Sequence, residues 1–326
     1  MTLLADFELI RPASLAEAVA ARHRYPGSRL LAGGTDLMPN LRRGIGTVPA
    51  LIDITGLPGL QDIVLEPAGL RIGAGATLAR LADDALVTLH CPALAEAARQ
   101  VAGPTHRSVA TLGGNLCLDT RCVFYNQSAW WRQSNAFCLK HAGERCHVAP
   151  TGSRCHAAYS GDTAPVLLAL GAKVELGGKA GTRWIDLEDL FHEDGAAHLR
   201  LGEDEVLLGV RIPLDSSFIT EYEKARFRGA IDFPLAGVAV SLRRDDDALT
   251  GLRIAITGTN SRPILLAGCE SLLDQPLDDT ALQQIGKLVQ KQVSPMRTTM
   301  TPSHYRRRVA AALAIRLARR LFTVQS

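Results

Sequence analysis

Four cysteines, Cys122, Cys138, Cys146 and Cys155, fall within 34 consecutive positions of a 326-residue chain that has only seven in total. Thiols crowded into one segment constrain its fold more than any hydrophobic pattern nearby, because four thiolates complete a tetrahedral zinc site or an iron–sulfur cluster. The gaps between them are fifteen, seven and eight residues. Common zinc modules use a tight C-x₂₋₄-C pair, which places two ligands on one turn. No such pair occurs here. The spacing therefore leaves three readings open: a cluster first, a loose zinc site second, unliganded or disulfide-bonded thiols last.

The rest of the chain limits the setting. Its length allows two or three subdomains. A net charge of +3 gives no case for a nucleic-acid or membrane partner, and no apolar run approaches the roughly 20 residues of a membrane span. The segment Met1–Glu8 lacks a basic n-region and carries acids where a signal peptide would be apolar. The expected location is the cytoplasm, where clustered cysteines bind metal more often than they pair.

Short strands and helices alternate through the first third. Ser14 is a candidate N-cap for a helix to Arg24. A strand over 28–32 runs into Gly33-Gly34-Thr35-Asp36, and a helix follows over 37–43. A strand at 70–77 leads to a helix, and Thr111-Leu112-Gly113-Gly114-Asn115 forms a second glycine turn. Beyond about residue 216, strands over 218–227, 236–243 and 252–257 precede helices from Leu277 onward, the pattern of a separate α+β domain. The arginine-rich end, from Tyr305 to Leu321, reads as a terminal amphipathic helix with a solvated arginine face.

Either glycine turn alone is weak evidence, since glycine is the usual residue of any tight turn. As a pair they suit a pyrophosphate held from two sides by bare backbone N–H groups. Neither is G-x-G-x-x-G, so the Rossmann fingerprint is absent, and so is the Walker motif.

The residues around these turns resemble a known family. Leu31-Ala32-Gly33-Gly34-Thr35-Asp36-Leu37 and Ala110-Thr111-Leu112-Gly113-Gly114-Asn115-Leu116 are similar to the two FAD pyrophosphate loops of flavoprotein subunits in the xanthine dehydrogenase family of molybdenum hydroxylases. Three further matches follow in order: Gly161 to Ala172, Glu205 to Pro213, and Lys224-Ala225-Arg226-Phe227-Arg228 with Asp232-Phe233-Pro234. The resemblance covers essentially the whole chain. It implies an α+β fold, with a two-subdomain FAD-binding domain of the vanillyl-alcohol-oxidase/PCMH type and a C-terminal domain as in CO dehydrogenase flavoproteins. The expected boundaries are 1–216 (subdomains about 1–56 and 57–216) and 217–326. The implied FAD contacts are Leu31, Ala32, Gly33, Gly34, Thr35, Asp36, Leu37, Val101, Thr111, Gly113, Gly114, Asn115, Asp162, Leu207 and Lys224, with no catalytic residue beyond electron relay.

The cysteines lie where the chain departs from the family. Relatives pass from the Gly-Gly-Asn loop to the Ser-Asp segment in about ten residues, whereas Asn115 and Asp162 are 47 positions apart. The insertion, about 118–160, holds Cys122, Cys138, Cys146 and Cys155. Cys117, Cys91 and Cys269 read as scaffold, and His147 and His156 as non-ligands. One branch of the family, the flavoprotein subunits of 4-hydroxybenzoyl-CoA reductases, carries such an insertion with one 4Fe–4S cluster. The resemblance to it implies a hetero-oligomer with a molybdenum subunit and a 2Fe–2S subunit, as a dimer of heterotrimers, with ferredoxin as donor. Two alternatives stand beside it: a flavin subunit working oxidatively, and a zinc-stapled docking module.

Overall fold

The computed structural model describes residues 4–323. Its N-terminal part is a three-stranded parallel sheet of β1 (Glu8–Ile10), β2 (Arg29–Leu31) and β3 (Ala50–Asp53), in the order β1-β3-β2. The central strand carries the burial: Ala50, Leu51 and Ile52 are all enclosed. The Ser14 hydroxyl accepts from Glu17 N at 3.2 Å and starts the helix Leu15–Arg24, as its sequence position predicts.

A second, antiparallel sheet combines β4 (Ile63–Glu66), β5 (Gly69–Gly73), β6 (Lys173–Gly178), β7 (Gly181–Asp186) and β8 (Val206–Ile212), in the order β4-β5-β8-β6-β7. Strands distant in the chain thus become neighbours, and β8 bridges β5 and β6. Both sheets share one continuous core.

The third sheet, order β12-β11-β10-β9, is built from β9 (Ile219–Ala225), β10 (Ala236–Asp245), β11 (Ala248–Thr257) and β12 (Ile264–Leu265). Alternate residues of its central strands face opposite ways. Val238, Val240, Leu242, Ile254 and Ile256 join the core under the helices Asp279–Gln292 and Ser303–Thr323. Ala239 and Ala255 join the core of the first two sheets instead. Small side chains on that face let the helix Thr163–Ala169 pack close to the strands. One sheet is therefore the seam between the two halves.

The terminal helix differs from expectation at one residue. Arg307 and Arg308 are exposed, but Arg306 is 1% exposed and donates to the carbonyls of Leu235, Met296 and Gly258 and to Thr298 Oγ1. Helical periodicity shows which side a residue faces, but not that loops will close over one turn of that side.

The segment between Asn115 and Asp162 has little regular structure, with one helix, Ala129–Ser134. It leaves and rejoins the body side by side. Arg121 and Ala158 exchange both backbone hydrogen bonds at 2.7 Å, and Asn115 Oδ1 accepts from Thr163 N and Oγ1 at 3.1 and 2.7 Å. Its own core is small: Cys122, Tyr125, Cys155 and Ala157 pack with Ile45, flanked by Phe124, Cys138, Leu139 and Val148. Three of the residues holding the segment together are thus cysteines.

Candidate functional site

A cavity of about 750 Å³ opens between the parallel sheet and the remainder of the molecule. Both glycine turns line it. In the first, a Cβ on Gly33 would overlap the Val109 carbonyl, and Gly34 sits at φ +67°, so both positions require glycine. In the second, a Cβ on Gly113 would lie 2.8 Å from that of Ala74, while the crowding at Gly114 is milder, 3.1 Å from Thr111 Oγ1.

The second turn is not the row of bare donors expected. The N–H groups of Leu112, Gly113 and Gly114 donate to Ala76 O, Ala74 O and Thr111 Oγ1 at 2.9, 2.8 and 3.1 Å. Its contribution to the cavity is a backbone surface at close range. Asn115, 8% exposed, is turned toward Thr163 and ties this loop to the segment that carries Asp162.

Leu31, Ala32, Gly33, Gly34, Thr35, Asp36, Leu37, Val101, Thr111, Gly113, Gly114, Asn115, Asp162 and Leu207 all line this cavity; Lys224 does not. Its side chain is wholly buried behind Asp162, with Nζ 3.0 Å from Oδ2, while the Tyr222 hydroxyl donates to Oδ1 at 2.6 Å. Burial pushes the Asp162 carboxyl up against the opposing pull of Lys224 and Tyr222, and pushes the Lys224 ammonium down.

Other lining groups, beyond the expected contacts, come from distant parts of the chain. Arg121 pairs with Asp36 and donates to Asn40 Oδ1 at 2.9 Å, with its guanidinium 5.5 Å from the Phe233 ring. Phe233 and Ile231 come from the β9–β10 connection, where Ile231 N donates to Ala102 O at 3.1 Å. Pairs this far apart in sequence leave no local signal.

Cys122, Cys138, Cys146 and Cys155 all line a second, small pocket, and all are free thiols. Its interior is about 10 Å³, room for about one water. Among the described residues no three His, Cys, Asp or Glu side chains are close enough to hold one metal ion. The four cysteines thus border one common space. Burial pushes the Cys155 thiol up to about 12 and raises Cys122, against the pull of the Ala157 N–H and Lys140 on the former. Metal binding at these two thiols would release their protons.

Cys138 lies in a tight turn, where Gly143 N donates to its carbonyl at 3.1 Å and Ala136, Phe137 and Ala142 hold φ of 54°, 56° and 56°. Cys117, Cys91 and Cys269 lie outside this pocket, and His156 does too. His147 is on its wall, with Nε2 donating to Phe137 O at 2.5 Å and its ring stacked on Phe124. Of the aromatic residues near the cysteines, Phe124 and Tyr125 shield the pocket, whereas Trp130 is 75% exposed and points away from any such role. Tyr125 lines both pockets, as their common wall.

Comparison with known proteins bears on both halves. Residues 5–215 match the model of the FAD binding domain in molybdopterin dehydrogenase, and 220–321 that of the CO dehydrogenase flavoprotein C-terminal domain. The chain is 28% identical over 300 residues to the xanthine dehydrogenase FAD-binding subunit of Escherichia coli O157:H7, covering 91% of this chain and 89% of that protein. It is 32% identical over 270 residues to the aldehyde oxidoreductase FAD-binding subunit PaoB of Escherichia coli K12, covering 80% and 83%. The fold is similar to a chain of the carbon monoxide dehydrogenase from Hydrogenophaga pseudoflava, with a TM-score of 0.82 at 23% identity over 98% of this chain and 99% of that one.

Proposed function

Because the chain belongs to the FAD-binding subunits of the xanthine dehydrogenase and CO dehydrogenase family of molybdenum hydroxylases, we propose that it holds FAD in the large cavity and one 4Fe–4S cluster on Cys122, Cys138, Cys146 and Cys155. In this reading it is the flavoprotein subunit of a 4-hydroxybenzoyl-CoA reductase. It takes single electrons from reduced ferredoxin and delivers them to partner subunits carrying 2Fe–2S clusters and molybdenum. There two electrons and two protons convert the aryl hydroxyl to water and leave benzoyl-CoA. The observation that carries the reading is the convergence of all four inserted cysteines on a pocket whose Tyr125 wall also bounds the flavin-sized cavity.

Bound in these places, the flavin would exchange one- and two-electron steps and the cluster would supply electrons singly. The chain's residues bind and insulate. Gly33 and Gly113 allow backbone within reach of the pyrophosphate; Asp162, held by Lys224 and Tyr222, presents a buried carboxyl to the cavity. Phe124 and Tyr125 exclude water from the cysteines, which disfavours a more negative reduced state, while the Ala157 N–H 3.4 Å from Cys155 Sγ offsets part of that.

No helix among the described residues is long and apolar enough to cross a membrane. Metal analysis and EPR of the anaerobically purified, dithionite-reduced chain test the cluster. Four irons per chain with a reduced-cluster signal support it; stoichiometric zinc, or flavin alone, rejects it in favour of a docking module. For the substrate, the assembled complex should turn over 4-hydroxybenzoyl-CoA with reduced ferredoxin while this chain alone does not. Turnover by the single chain, or none by the complex, would sink the assignment.

A further inference from the structure

Lys140 belongs to the inserted segment, yet its side chain is only 5% exposed. Its ammonium has three protons and three partners: Asp119 Oδ1 at 2.7 Å, Thr120 Oγ1 at 2.5 Å and the Gly195 carbonyl at 2.6 Å. The same nitrogen lies 5.2 Å from the centre of the Tyr125 ring. The side chain lines the cysteine pocket, where among the described residues it carries the only permanent charge. Its one anionic partner, Asp119, lines the flavin-sized cavity and not the cysteine pocket. The lysine thus borders the cysteines, while the carboxylate that pairs with it borders the larger cavity. In a site closed to water such a charge acts at much less than the full dielectric screening of bulk solvent.

We propose that Lys140 is a positioning and charge-compensating residue for the group held by Cys122, Cys138, Cys146 and Cys155, and that it raises that group's reduction potential. The inference rests on reading those cysteines as ligands of a 4Fe–4S cluster. Reduction adds one electron from a one-electron donor to the cluster; no bond is formed or broken and no proton is taken up. Lys140 remains an ammonium throughout, and its fixed charge balances part of the added negative charge. The three hydrogen bonds serve a second end: Asp119 and Thr120 lie at the base of the insertion and Gly195 in the body of the protein, so they fasten the cysteine-bearing stretch there.

The test is a redox titration of the full chain followed by EPR, with iron, acid-labile sulfide and FAD measured on the same samples. The variants are Lys140→Met, Lys140→Arg and, as a remote control, Lys173→Met, whose lysine is half-exposed and paired with Asp186. The proposal expects four irons in each, and a tenfold smaller equilibrium constant for cluster reduction in Lys140→Met. For a one-electron couple this is about 59 mV lower. Lys140→Arg should recover most of the shift, and Lys173→Met should show none. Should Lys140→Met lose iron, Lys140→Gln, which keeps hydrogen-bond donors for Asp119 and Gly195, takes its place in the titration. Iron loss from that variant too, with full iron in Lys140→Arg, would make the lysine a folding residue and overturn the proposal. So would full iron with an unchanged potential. A wild-type chain without iron removes the cluster reading itself, an outcome distinct from either.

Discussion

The flavin-sized cavity and the cysteine pocket share a wall but are made in opposite ways. The cavity is shaped by backbone: glycine turns pressed against the Val109 carbonyl and Ala74, on sheets whose core is continuous over some 40 buried side chains. The cysteine pocket has five buried residues in its core, two of them cysteines, and little secondary structure around it. Three non-glycine residues beside Cys138 hold left-handed backbone, which costs of order 1 kcal/mol each. The first site is a property of the folded scaffold. On the proposed reading the second becomes ordered only with what it binds, since its thiols have few apolar neighbours and metal–sulfur bonds would supply the ordering. The difference is between a mould and a clasp.

Removing one ligand breaks the comparison most directly. Cys138→Ser or Cys146→Ser should abolish bound iron and expose residues 122–157 to protease, while FAD content stays close to wild type. Equal loss of flavin and iron would show that the two regions are one cooperative unit. Cys269→Ser, far from the pocket, should keep four irons. The converse substitution is Gly33→Ala, whose new Cβ overlaps the Val109 carbonyl. Overpacking of this kind costs about 1–3 kcal/mol, and FAD should be lost while reconstituted iron remains. Gly114→Ala, with more space, should retain FAD; if it releases flavin and Gly33→Ala does not, the ranking of the two turns is wrong.

A third test concerns the base of the inserted segment. His198 is buried with Nε2 donating to Leu118 O at 2.9 Å, and burial, aided by the Lys140 charge, holds its imidazole down at about 4. An unfolded histidine takes a proton below about 6.5, so the folded chain is fully stabilised by this group above that pH. The contribution is lost as pH falls from about 6.5 to 4, by about 3 kcal/mol in all. Denaturant titrations at pH 7 and pH 4 should show this loss in the wild type and less of it in His198→Gln. Identical pH dependence in both would discharge His198 from the role.

How much of this was legible in the sequence differs between the two regions. The Ser14 cap, the strand leading into the first glycine turn and the helices beyond Leu277 follow from local rules, and they stand where those rules put them. The short strands β1, β4 and β7 were invisible, since their residues become strands only through partners far along the chain. Within the site, the glycines were readable because a missing side chain is itself a signal. The close packing of Leu112, Gly113 and Gly114 N–H groups against Ala76, Ala74 and Thr111 was not, because it depends on where another loop lies. Lys224 was placed near the flavin by resemblance, and its location behind Asp162 is a packing fact. The cysteine spacing pointed to a shared ligand, but only the fold could bring Asp119 and Gly195 to Lys140.

The paired hydrogen bonds between Arg121 and Ala158 have a consequence for how such a chain can arise. A loop tied off at its base leaves the strands and helices on either side in register, whatever its length. Closing it costs entropy that grows only with the logarithm of that length, about 0.6 kcal/mol for each doubling. A parent with a short connection at this point could therefore acquire the longer one in a single genetic step and still fold. What the newcomer could not inherit from its host was order, and on the proposed reading the four cysteines would supply it from outside the polypeptide.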